Sequence, residues 1–171
     1  MNRTKQLVTT AMCVALGIVL PMAFHFVPNA GSILLPMHLP VLLCGLVNGP
    51  VWGLVAGIAT PALSSMMTGM PPAIYLPSML FELAGYGLVA GLMMKMLLKK
   101  RNMRTVYIAL IAAMLVGRIL YGLSNALIFR VGAYSLEVWF AAAFTTALPG
   151  IVLQLVVIPP VVMALQKIKA I

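Results

Sequence analysis

Long apolar stretches, parted only by short basic clusters, leave this chain one solvent in which it can fold. Only 8% of its 171 residues are charged and 63% are hydrophobic, where a soluble domain carries roughly a quarter charged residues. Mean hydropathy is +1.12. Runs of about 20 apolar residues are long enough to cross a bilayer as helices. The chain is therefore read as an all-α integral membrane protein, a single six-helix domain over residues 1–171. A formal charge of +9 invites a nucleic-acid partner. None is expected, because the basic residues lie between apolar runs rather than along a polar face.

Four spans stand out, at about 7–27, 74–97, 105–129 and 139–165. Residues 32–68 hold either one helix kinked at Pro50 or two spans, 32–47 and 50–68. Proline and the glycine before it favour a break at Val47-Asn48-Gly49-Pro50. Charge decides the count, since lysine and arginine collect on cytoplasmic loops. Nine of the eleven fall in three clusters: Arg3 and Lys5; Lys95, Lys99, Lys100, Arg101 and Arg104; Lys167 and Lys169. Six spans place all three clusters, and both termini, in the cytoplasm. Five would strand the middle cluster outside.

The external connections then fall near 28–33, 68–73 and 130–138, with Arg130 their one basic residue. Pro36 and Pro40 predict irregular backbone in the upper part of the second span, tolerable where it is buried in protein or lines a cavity. The amino-terminal run reads as an uncleaved first span, interrupted by Pro21 and Pro28. Gly45, Gly53 and Gly57 read as faces for close helix contact, and Gly49 divides the series. Cys13 and Cys44, both in apolar surroundings, read as buried free thiols. Two distant histidines, His25 and His38, are too few for a metal site, and no metal or cofactor is expected. With no aspartate in the chain and no nucleophile–base set, an enzyme is not expected either.

Glu82 and Arg118 stand alone inside apolar spans, and an ionisable residue at membrane depth is a functional-site hypothesis. Counting 1.5 Å per residue from Lys95, Arg104 and Lys167 puts Glu82, Arg118 and Gln154 each about 20 Å above the cytoplasmic boundary. Glu82 and Tyr86 share a helix face, as do Arg118, Tyr121 and Asn125. Two readings are open. The pair either locks two helices together, or, with Tyr86, Tyr121, Asn125 and Gln154, lines an enclosed pocket for a small polar solute. His38, between Pro36 and Pro40, is a further candidate contact, and Ser65, Thr68 and Tyr75 are candidates for a lid.

Five segments form a pattern: Ala11-Met-Cys-Val-Ala15 on the first span, Leu-Pro-Met-His-Leu-Pro-Val, and Leu46-Val-Asn-Gly-Pro-Val-Trp-Gly53, then Ser64-Ser-Met-Met-Thr-Gly-Met-Pro-Pro72 and Leu80-Phe-Glu-Leu-Ala-Gly-Tyr-Gly87. In them the chain resembles the substrate-binding S components of energy-coupling factor (ECF) vitamin transporters. The resemblance implies a multi-pass subunit of the bacterial plasma membrane that binds a small water-soluble vitamin, pantothenate being the nearest type. Its partners would be a transmembrane coupling protein, met through Ala11 and Ala15, and two ATPase subunits. Arg118 would hold a carboxylate while Glu82 and Asn125 receive donors; a pyridine or pyrimidine vitamin between Tyr86 and Tyr121 is the rival. Two other functions compete with this one: a stand-alone carrier coupled to protons through Glu82, and a scaffold that transports nothing.

Overall fold

The computed structural model describes residues 2–24, 29–97, 102–129 and 134–167. His25, Pro28, Lys99, Lys100, Arg101, Arg130 and Lys169 lie outside the described residues. The described chain is all helical. Helix α1 runs over Arg3–Ala23, α2 over Ala30–Leu34, α3 over His38–Asn48, α4 over Pro50–Thr68 and α5 over Leu76–Met96. Helix α6, Met103–Ser124, continues through a π-helical turn at Asn125–Phe129. A short helix α7 at Leu136–Phe140 leads through a second π-helical stretch, Ala141–Thr146, into α8 at Leu148–Lys167. Six helices are long and apolar enough to cross a membrane, α2 and α3 counting as one.

The second span is the innermost. Nine of the eleven α3 residues are buried, because α1, α4, α5, α6 and α8 all touch it. Above it the chain breaks as the prolines predict: Leu35 adopts a left-handed conformation with φ 51°, and α3 starts at His38. At its lower end Gly49 takes φ 91°, which a glycine adopts without strain, and Pro50 opens α4, where its missing N–H costs nothing.

Helices α4 and α5 pack backbone to backbone. Gly53 lies against the backbone of Gly87, and Gly57 against that of Leu83. Gly45 of α3 meets the Gly87 carbonyl as well. A Cβ at any of these glycines would collide with main-chain atoms, which cannot turn away. Small residues thus bring helices together where lipid supplies no hydrophobic drive between them. The outward faces are apolar in their turn. Leu7, Met12, Leu16 and Val19 on α1 and Ile108, Ile111, Leu115 and Ile119 on α6 are all exposed, as a lipid-facing surface requires.

The last span departs from expectation. A continuous helix over 139–165 is replaced by α7, the π-helical stretch and α8 from Leu148. Pro149 supplies the reason. It lacks an N–H and its ring would clash with the preceding turn, so it belongs in the first turn of a new helix.

A polar network clasps α1 to α3 and α4. Trp52 Nε1 donates to Gln6 Oε1 at 3.1 Å, and Asn48 Nδ2 donates to Thr10 Oγ1 at 2.9 Å and to the Gln6 carbonyl at 3.2 Å. Gln6 Nε2 donates in return to the Asn48 carbonyl at 3.3 Å. Cys44 Sγ donates to Thr10 Oγ1 at 3.6 Å, with Cys13 packed beside it, and both thiols are free. With Thr10, Cys13 and Gly17 turned inward, Ala11 and Ala15 face out and are exposed. Asn48→Ala removes two donations and should cost about 1–3 kcal/mol. Thermal unfolding in detergent, lowered by roughly 5 °C, checks this.

Candidate solute-binding site

Three helices build the site around one carboxylate. Glu82, on the inward face of α5, is 2% exposed. Arg118 Nη1 from α6 reaches its Oε1 at 2.9 Å, and His38 Nε2 from the first turn of α3 approaches the same oxygen at 3.4 Å. Both approaches are close in distance but fall outside hydrogen-bond angles, so Oε1 has charge partners and no aligned donor. Tyr86, one turn along α5 and fully buried, sets its ring edge-on to His38 with centroids 5.2 Å apart. Gly117 makes the room. A Cβ there would overlap the Tyr86 ring.

Around this nucleus lie polar atoms that the protein does not satisfy. Both His38 nitrogens, Tyr86 Oη, Arg118 Nε and Nη2, Asn125 Oδ1 and both Gln154 amide atoms are buried without a protein hydrogen bond. Tyr86 Oη does lie beside the Glu82 carboxylate, though without full hydrogen-bond geometry. A buried group left in this condition costs about 1–3 kcal/mol, and native proteins hold few of them. Five of these atoms, on His38, Tyr86 and Arg118, belong to side chains that meet at Glu82, which makes this cluster the candidate site.

The predicted residues therefore divide. His38, Glu82, Tyr86 and Arg118 meet directly. Tyr121 is half-buried near Arg118. Asn125 is fully buried at the start of the π-helical turn, where its Nδ2 donates to the Tyr121 carbonyl at 2.9 Å and its Oδ1 stays unmatched. Such turns recur at functional sites. Gln154 is fully buried on the α8 face it shares with Gly150 and Ile158, but it makes no hydrogen bond to the others. The candidate lid residues are engaged locally: Ser65 Oγ donates to the Pro71 carbonyl and Thr68 Oγ1 to the Ser64 carbonyl.

Two features went unread in the sequence. Tyr134 is half-buried near Arg118. Trp139 seats its ring against Gly122 and donates Nε1 to the Arg118 carbonyl at 3.0 Å, fastening α7 to the helix that carries the arginine. A tryptophan four residues after a capping Ser135 is the available signal. A cavity of about 340 Å³ opens beside Trp139, between α7 and the outer face of α6. Its lining is mostly apolar, with Ile119, Leu123, Ala126 and Leu136. Of its polar lining residues, Ser135 caps α7 and Trp139 donates to the Arg118 carbonyl, so the buried cluster is the better candidate.

Among the described residues no group of three His, Cys, Asp or Glu side chains comes together to hold a metal ion. Six membrane-length helices enclosing a charged, unsatisfied core are what a membrane solute binder requires. The family model described as ECF transporter, substrate-specific component matches residues 5–162. The chain belongs to that family. The match covers the whole of α1 to α7 apart from the first two residues of α1, and most of α8, so every residue of the polar cluster lies inside it. Comparisons with curated proteins and with solved structures give no significant match. An ECF substrate-specific component is part of a transporter rather than an enzyme, and this one is a multi-pass membrane protein.

Proposed function

We propose that the chain captures a small water-soluble vitamin or precursor at the outer face of a bacterial plasma membrane, with both termini in the cytoplasm. It then delivers its load to an ATP-driven module made of a transmembrane coupling protein and two ATPase subunits. The observation that carries this is the set of unsatisfied buried polar atoms on His38, Tyr86 and Arg118 at the Glu82–Arg118 contact, in a chain of this family. Pantothenate is the vitamin type that the sequence resemblance suggests.

Ala11 and Ala15 supply the coupling face. They stand outward on α1 while the Gln6–Asn48–Trp52 clasp holds the opposite side of the helix. Small side chains let a partner's backbone approach closely without interlocking, which suits a contact that forms and releases in each cycle. Ala15→Leu should therefore leave solute binding unchanged in the purified chain and reduce uptake by cells roughly tenfold, an expected loss of about 1.4 kcal/mol in assembly. Uptake at the normal rate would argue against this face.

The energy source separates the proposal from a stand-alone carrier. Uptake should stop when ATP hydrolysis is blocked, and the chain should co-purify with an ATPase module. Uptake that persists without ATP and follows the proton gradient would favour Glu82 as a coupling carboxylate instead.

A further inference from the structure

The Arg118 guanidinium is held by one corner only. Its Nη1 lies 2.9 Å from Glu82 Oε1. Its Nε and Nη2 are buried and have no protein partner. Those two nitrogens are not an arbitrary pair. In the planar guanidinium, Nε–H and the outer N–H of Nη2 lie on the same edge and point the same way, the fork that receives both oxygens of one carboxylate. Nη1 lies on the other side, next to the aliphatic stem. The contact with Glu82 thus leaves the fork without a hydrogen-bond partner, buried until a solute parts its neighbours.

Glu82 is correspondingly committed. Its Oε1 faces the arginine and His38 together, so the carboxylate fixes how Arg118 is presented. The Trp139 donation to the Arg118 carbonyl and the Gly117–Tyr86 packing hold the backbone on either side of that presentation. A buried guanidinium that faces one carboxylate through a single corner has fewer orientations open to it before a solute arrives. That lowers the entropy cost of binding.

The geometry points to a solute bearing a carboxylate, received side-on by Nε and Nη2 of Arg118, with Glu82 positioning the arginine rather than touching the solute. This rests on the solute-binding reading above and narrows it to a chemical class. A phosphate would fit the same fork. Its second negative charge, however, would stand beside the Glu82 carboxylate in a site with few competing cations, so a singly charged acid is favoured. The neutral amide or alcohol of the same solute cannot accept both parallel donors. It would leave a buried N–H unmatched, the kind of mismatch that gives strong discrimination.

Isothermal titration of the purified full-length chain tests this with three acids and their neutral counterparts: pantothenate and pantothenol, nicotinate and nicotinamide, biotin and biotinamide. Thiamine, riboflavin and pyridoxal 5′-phosphate complete the panel. One acid should bind, with its neutral counterpart about 100-fold weaker or more. Arg118→Lys keeps the charge but has no parallel pair of donors, and should weaken the acid about 10- to 100-fold. Glu82→Gln removes the charge that orients Nη1 and should weaken the acid by a smaller factor, about three- to tenfold.

Equal binding of acid and neutral counterpart would overturn the carboxylate assignment, as would binding of thiamine, riboflavin or the phosphate alone. Either result would leave the solute-binding reading standing. Loss of acid binding in Glu82→Gln as large as in Arg118→Lys would overturn the positioning role. Binding of no panel member by the folded protein would overturn this inference together with the reading beneath it.

Discussion

Glu82→Ala is expected to cost folded protein, whereas Arg118→Ala is expected to cost affinity. The asymmetry follows from what each variant leaves behind. Without Glu82, a guanidinium that is 6% exposed loses its one charged partner, and arginine cannot shed its proton to become neutral. Breaking a buried pair in this way costs about 3–5 kcal/mol, a fall of roughly 10 °C in melting temperature for a chain of this size. Without Arg118, the remaining carboxylate still has His38 at 3.4 Å and is able to take up a proton, so the penalty on folding is smaller. Binding bears the loss instead. Two hydrogen bonds to a charged group are worth about 1.5–3 kcal/mol each, enough for a drop of 100-fold or more. Melting curves and titrations on both variants check the pair. If Arg118→Ala collapses the fold and leaves affinity alone, the two residues form a helix lock and nothing more.

Gly53→Val should disperse the bundle. The α4–α5 contact has main chain on both sides, with Gly53 and Gly87 touching through their backbones. Most overpacking costs about 1–3 kcal/mol because neighbouring side chains turn aside. Here the neighbour is a carbonyl fixed within a helix, so relief comes only by moving α4 away from α5. That motion displaces the helix carrying Glu82 and Tyr86. Loss of a monodisperse peak on size-exclusion chromatography is the expected result. The matched control is Gly31→Ala, a position with open space about it, which should behave as the parent protein does.

The helices were legible where a fixed rule governs them. Apolar length marks the first, fourth and fifth spans, and Asn48-Gly49-Pro50 marks the break that the structure places between α3 and α4. The constant rise of a helix is what allowed Glu82 and Arg118 to be matched in depth before any contact was known. Depth carries no information about rotation. Gln154 is fully buried, and its amide makes no hydrogen bond to the other cluster residues. Hydropathy likewise cannot tell a helix wrapped in protein from one wrapped in lipid, so the central place of α3 was hidden. The clasp of Gln6 with Asn48 and Trp52 joins residues more than forty apart, and no local pattern announces it. The break ahead of α8 has a local mark, since Pro149 sits in the middle of the 139–165 stretch.

Native mass spectrometry of the detergent-purified protein, wild type against Arg118→Ala, tests the central claim most directly. The wild type should carry one small solute per chain, released on activation, and the folded variant should carry none. A wild-type protein that never retains a solute, or a variant that retains it equally, would contradict the claim that these buried polar groups form a binding site.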